Sequence, residues 1–208
     1  MARKTTSTLH LQVGQETIYL LLTGSLLAIL LMLAYIVANT PRWVERANEP
    51  PPIIRLEEAN GYSFQSGSAL ITDSFKLRLE TDVVERVRNY GRDYGADIIE
   101  IVGHTDETSM RQAHAGTSNL DDVLLGWLRD ETETEPVAFD NVGLGMARAV
   151  AVAKALEDAG LGDEYEIIPL SAGQLVLPGD RVSRETDTNA DAARRRIEIR
   201  VRRRTEFE

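Results

Sequence analysis

Residues 18–38 carry no charged side chain, and Leu20, Leu21, Leu22, Leu26, Leu27, Ile29, Leu30, Leu31, Met32, Leu33, Ile36 and Val37 leave a helix drawn through them without a polar face. At 1.5 Å per residue that helix covers roughly 30 Å, the thickness of a bilayer's hydrocarbon core. A helix of this length buried in a water-soluble domain shows a polar side. A cleaved signal peptide has an apolar region of only about 7 to 15 residues before a small-residue cleavage site. The run therefore predicts a transmembrane signal anchor. Arg3 and Lys4 precede it with no acid before Glu16, whereas Arg42, Glu45, Arg46 and Glu49 mix signs after it. The positive-inside bias then places residues 1–17 in the cytoplasm and the rest of the chain beyond the membrane, which in a double-membrane bacterium is the periplasm.

After the anchor, Pro41 and Pro50, Pro51 and Pro52 stiffen a linker at 39–52, because proline lacks a donor and fixes its own dihedral. Residues 53–208 have the pattern of one mixed domain. Residues 62–64 read as a short strand before the turn at Ser66, Gly67 and Ser68. Thr72 and Asp73 can cap a helix whose Phe75, Leu79, Val83, Val87, Tyr90 and Tyr94 recur at spacings of three and four, and Gly95 ends it. Residues 97–102 form an apolar strand, 141–159 an alanine-rich helix stopped by Gly160, and 165–170 a third strand. In the last strand Ile197, Ile199 and Val201 alternate with Glu198, Arg200 and Arg202, which predicts one covered face and a solvated, charged face on an edge strand. This β/α/β/α/β/β order predicts an α+β sandwich with the helices on one face of a small mixed sheet.

Several functions are excluded early. A net charge of -10 argues against nucleic-acid binding, which depends on neutralising phosphates. The absence of cysteine removes thiol nucleophiles, thiolate metal sites and disulfides. His104 and His114 lack clean metal-ligand spacing with Asp106, and no catalytic triad order, nucleotide-binding glycine loop or spaced carboxylate pair is present. Neither an enzyme, a cofactor nor a metal is expected.

The polar signal lies where the apolar run Ile98-Ile99-Glu100-Ile101-Val102 ends in Gly103-His104-Thr105-Asp106, which delivers hydrogen-bonding groups to the rim of a sheet. The helix Asn141-Val142-Gly143-Leu144-Gly145-Met146-Ala147-Arg148-Ala149-Val150-Ala151-Val152 can bring a guanidinium to the same rim. A carboxylate and a guanidinium placed together can grip a zwitterion, the one pairing an ammonium and the other taking a carboxylate bidentately.

With Phe64-Gln65-Ser66-Gly67-Ser68-Ala69-Leu70 and Arg195-Arg196-Ile197-Glu198-Ile199, these runs resemble the OmpA-like peptidoglycan-binding domain family, which includes the C-terminal domain of MotB. The resemblance covers about 62–203. It implies the OmpA-like sandwich fold and a pocket for the diaminopimelate of the peptidoglycan stem peptide, with the ligand-binding roles falling on Asp106 and Arg148. Thr105, Asn141, Arg195 and Arg196 complete the implied pocket. The chain departs from the family in an insertion at about 107–140, expected as a loop with one amphipathic helix around Leu120, Leu124, Leu125, Trp127 and Leu128. It departs again at Arg194, where the family usually has Asn, and at Asp191, where an Arg is common.

One span followed by such a domain resembles the MotB layout, which implies a single-pass inner-membrane protein that holds a membrane complex to the cell wall. Peptidoglycan and the membrane are its expected partners, and nucleic acid is not. An ion-driven motor subunit with a MotA-like multi-span partner is the alternative. A stator of that kind uses an Asp early in the span, and residues 18–38 offer only Thr23, Gly24 and Ser25 there, with Glu16 at the boundary as a possible ion carrier. Gly24, Ser25 and Ala28 are small enough for another helix to approach, consistent with a homodimer. A periplasmic adaptor that binds protein is the third reading, and it leaves Asp106 and Arg148 unused.

Overall fold

The computed structural model describes residues 5–39, 50–65, 67–108, 117–184 and 189–205. Arg3, Lys4, linker residues 40–49, Ser66 and His114 lie outside the described residues. The chain divides into two compact units, Met1–Asn48 and Glu49–Glu208.

The first unit is the helix α1, Thr5–Asn39. Its stretch Glu16–Ala38 is long and apolar enough to cross a membrane, and none of it is buried within the protein. Its few polar groups are satisfied locally: the Thr23 hydroxyl donates to the carbonyls of Tyr19 (2.7 Å) and Leu20 (3.1 Å), and Ser25 donates to Leu22 (2.9 Å). Hydrocarbon offers no partner for such groups, so these internal bonds are what a spanning helix requires.

In the second unit, β1 is Ile54–Glu57, β2 is Ile98–His104, β3 is Glu166–Gly173 and β6 is Arg196–Arg202; a two-stranded ribbon, β4 Val176–Leu177 and β5 Arg181–Val182, precedes β6. The sheet order is β1-β6-β2-β3, with β6 antiparallel to both neighbours and β2 parallel to β3. The register sets Ile54 beside Ile199 and Ile199 beside Ile101, a continuous apolar row across three strands. This mixed sheet with its helices is the α+β arrangement expected.

The first helical segment runs as α2 Asp73–Arg78, a π turn Leu79–Val83, and α3 Val84–Tyr94. The Thr72 hydroxyl accepts from the Phe75 N–H at 3.3 Å, the cap expected, and Gly95 closes α3 at φ +59°. Phe75, Leu79, Val83 and Val87 are all fully buried. Residues four apart drift round a regular α-helix, which turns every 3.6 residues, and the widened turn at 79–83 keeps them on one stripe. The second long helix, α5 Asn141–Asp158, connects β2 to β3 and buries Leu144, Ala147, Ala149, Val152, Ala153 and Leu156.

Two expectations are corrected. Residues 62–64 contribute only an isolated bridge, Phe64 to Ile71, and the first strand is Ile54–Glu57. Four residues bounded by prolines and a tight turn give too short an alternation to stand out. The closing strand β6 is also not an edge, because it lies between β1 and β2, and its charged side is not solvated: Arg196 and Glu198 are buried. Glu198 accepts from Arg196 Nε (2.8 Å) and Arg200 Nη2 (2.6 Å), and His104 Nε2 lies 3.6 Å away. Burial raises the Glu198 carboxyl, but His104, Arg200 and Arg196 more than offset this and hold it well below the usual carboxylate range. The β4–β5 ribbon reaches this cluster through Val176, whose carbonyl lies 3.3 Å from His104 Nδ1, and through the contact of Asp180 with Arg200.

Candidate functional site

The site is built where β2 ends against the start of α5. Gly103 and Gly145 let strand and helix touch backbone to backbone: a Cβ on Gly103 would lie 2.0 Å from the Gly145 carbonyl oxygen. Beyond the strand the Thr105 N–H donates to the Gly173 carbonyl (2.9 Å), tying the ends of β2 and β3 together. Thr105 is buried, and its hydroxyl donates to the Asn141 carbonyl at 3.4 Å. Asp140 caps α5 by accepting from the Gly143 N–H at 2.7 Å, and Asn141 Nδ2 donates to the Thr108 carbonyl at 3.1 Å. Asn141, Leu144 and Arg148 follow at spacings of three and four, so they share one helix face.

That face lines a cavity of about 330 Å³, together with Glu58, Tyr62, Phe64, Thr105, Asp106, Arg195 and Arg196. All six residues expected to bind ligand therefore border one space. Glu16 belongs to the other unit.

Asp106 is 5% exposed and heavily hydrogen-bonded. Its carboxylate accepts from the N–H groups of Thr108 and Asp191, each at 3.2 Å, and from Arg195 Nη1 at 2.5 Å. Burial raises its pKa; the bonds from Arg195, Asp191 and Thr108 outweigh that and leave it lowered, so the group is ionised at neutral pH.

Arg148, 7% exposed, donates from Nε to the Ser68 carbonyl at 3.1 Å and lies over the Phe64 ring with 4.8 Å from Cζ to the centroid. Burial lowers it to about 10, which still leaves it charged at neutral pH. Among the described residues its two Nη groups have no hydrogen-bond partner, so that edge is available for a planar anion.

Arg195 bridges two carboxylates, Asp106 through Nη1 and Glu58 through Nε. Arg196 borders the cavity, but its Nε is committed to Glu198. Arg194 is buried with Nη2 on Glu107 (2.9 Å) and the Gln174 carbonyl (2.8 Å), which fastens the segment before β6 to the β4–β5 region.

Among its described residues the insertion contains one helix, α4 Leu120–Leu128, with Val123 buried and Trp127 half-buried; it packs on α5. Leu120 covers Gly143, where a Cβ would stand 2.8 Å from its Cδ1. The return segment reaches the site's second layer: the Ser68 hydroxyl donates to Glu135 at 2.7 Å, while the Ser68 carbonyl holds Arg148.

Glu58 is the group that sequence reading missed. It follows β1 in a 3₁₀ turn, Glu58–Asn60, which Gly61 closes at φ +84°, and no motif marks it. The alternation of Ile54 and Leu56 with Arg55 and Glu57 was the available signal for the strand that places it.

No protein-family model matches the chain, and no curated protein sequence does. Solved structures of similar fold include the periplasmic domain of Helicobacter pylori MotB, at 17% identity and a TM-score of 0.45, over 74% of this chain and 76% of that one. A putative MotB-like protein from Desulfovibrio vulgaris matches at 17% identity and a TM-score of 0.43, over 73% of this chain and 75% of that one. The OmpA-like domain of FopA1 from Francisella tularensis matches at 14% identity and a TM-score of 0.36, over 74% of this chain and 75% of that one.

Proposed function

We propose that the chain is a non-enzymatic, membrane-anchored protein that binds the diaminopimelate end of the peptidoglycan stem peptide and tethers a membrane complex to the cell wall. The observation that carries this reading is the pairing of Asp106 and Arg148 on one cavity. The carboxylate is ionised and fixed by backbone donors, and among the described residues the Nη edge of the guanidinium has no partner. An amino-acid head group presents the opposite charges, and a bidentate guanidinium contact adds directionality to the attraction. Thr105, Asn141, Arg195 and Arg196 line the rest of the same cavity, with Arg195 held beside Asp106.

Residues 18–38 anchor the protein in the inner membrane with the N-terminus cytoplasmic and the domain periplasmic. The tether is favoured over an ion-driven subunit because that stretch holds no carboxylate. In the alternative reading Glu16 carries the ion beside a MotA-like partner; in both readings Gly24, Ser25 and Ala28 let a second copy approach as a homodimer. The test is co-sedimentation of the detergent-solubilised full chain with purified peptidoglycan. The unaltered chain is retained, and Asp106→Ala and Arg148→Ala are not; equal retention of all three removes the site assignment.

A further inference from the structure

The cavity holds one more charged group than the motifs account for. Glu58 is set by the sheet, because its N–H donates to the Arg195 carbonyl (3.4 Å) and extends the β1–β6 pairing one step past Glu57 and Arg196. Its side chain meets the same guanidinium that Asp106 meets, on a different nitrogen. Two carboxylates are thus gathered around one cation at the wall of the cavity. That cation is partly exposed, with Arg195 at 26% and Glu58 at 36% side-chain exposure, whereas Asp106 is nearly enclosed at 8%. Arg148 is 7% exposed, and among the described residues its Nη edge has no hydrogen-bond partner. Burial is the largest influence on Arg148, and among the surrounding charges Glu58 is felt more strongly than Asp106.

We infer that Glu58 and Asp106 together form the seat for a ligand ammonium, beside the Arg195 guanidinium that ties the two carboxylates to one place. This rests on the peptidoglycan reading of the same cavity. An ammonium has three donors to distribute, enough to meet both carboxylates, and one carboxylate alone leaves donors unmet. The charge balance points the same way. Glu58 and Asp106 offset Arg148 and Arg195, while Arg196 is offset by Glu198. A zwitterionic head group adds no net charge to this balanced, partly buried set, whereas a lone ammonium or a lone carboxylate leaves one charge uncompensated. Glu58 therefore binds the ammonium and helps select for a ligand that carries both charges.

The test uses the full chain in detergent micelles, titrated calorimetrically with L-Ala-γ-D-Glu tripeptides ending in meso-diaminopimelate, in lysine, or in 2-aminopimelate, which lacks the distal ammonium. In Glu58→Gln the preference for the diaminopimelate peptide over the aminopimelate peptide falls about tenfold, the effect of losing one charged hydrogen bond. Glu58→Asp, which keeps the charge on a shorter arm and guards against a folding defect, lowers the same ratio by less. If Glu58 merely props Arg195, all three peptides weaken in parallel and the ratio holds, which overturns the inference. Unaltered diaminopimelate binding in Glu58→Gln, with binding lost in Arg148→Ala, overturns it and leaves the peptidoglycan reading standing. Absence of binding by the unaltered chain overturns both.

Discussion

Gly103 on β2 and Gly145 on α5 meet backbone to backbone, and each excludes a side chain from the other: a Cβ on Gly145 would stand 2.9 Å from the Gly103 carbonyl oxygen and 2.6 Å from Ser171 Oγ. This contact fixes how far the helix bearing Arg148 lies from the strand end bearing Asp106. Relief at Gly103 requires backbone movement, since the obstructing atom is a carbonyl oxygen. Gly103→Ala is expected to destabilise the domain by about 1–3 kcal/mol, the usual cost of overpacking. Urea unfolding of the full chain in micelles, followed by tryptophan fluorescence, measures it; a midpoint equal to that of the unaltered chain contradicts the backbone contact.

Glu198 compensates Arg196 and Arg200 in a place with almost no solvent. Removing one partner of a buried ion cluster strands the others, so Glu198→Ala is expected to cost about 3–5 kcal/mol in the same unfolding experiment. A loss below about 1 kcal/mol, the level of a surface ion pair, contradicts the burial of this cluster.

Acid sensitivity follows from two carboxyls with lowered values, Asp106 and Glu198. A carboxyl whose folded pKa lies below its unfolded value, about 4 for an ordinary Asp or Glu, contributes stability that is complete above the unfolded value. That contribution disappears as pH falls through the folded value. Urea midpoints are therefore expected to decline on acidification below about pH 4, with a shallower decline in Asp106→Asn and in Glu198→Gln. An identical slope in both variants contradicts the assigned shifts.

Asp140 holds the first turn of α5 through its bond to the Gly143 N–H. Asp140→Ala is expected to cost about 1 kcal/mol, the usual loss of a helix cap. Amide hydrogen exchange locates the effect: faster exchange at Gly143 and its neighbours is predicted, and exchange unchanged there contradicts the cap.

Much of this arrangement was legible in the sequence where periodicity and end signals were strong. Thr72 and Gly95 bracketed the first helical segment, Gly160 followed the second, and Gly103-His104-Thr105-Asp106 marked the end of a strand; each lies close to the place expected. What escaped notice depends on contacts between distant segments. Glu58 and Arg195 are far apart in the chain, and only the β1–β6 register brings them together. The alternation of β6 was readable, but its polar side is buried because the separate β4–β5 ribbon reaches over it, and no local pattern signals that cover. The insertion helix was foreseen from Leu120 to Leu128, yet the link from Glu135 through Ser68 to Arg148 is again a tertiary event.

The proposed occupant of the cavity bordered by Asp106 and Arg148 is the diaminopimelate end of the stem peptide. Competition tests it most directly: the full chain is bound to purified peptidoglycan, and free tripeptide ending in meso-diaminopimelate or in lysine is added in excess. The diaminopimelate peptide is expected to release the protein, and the lysine peptide, lacking the distal carboxylate for Arg148, to release far less. Retention unaffected by either peptide, or equal release by both, contradicts it.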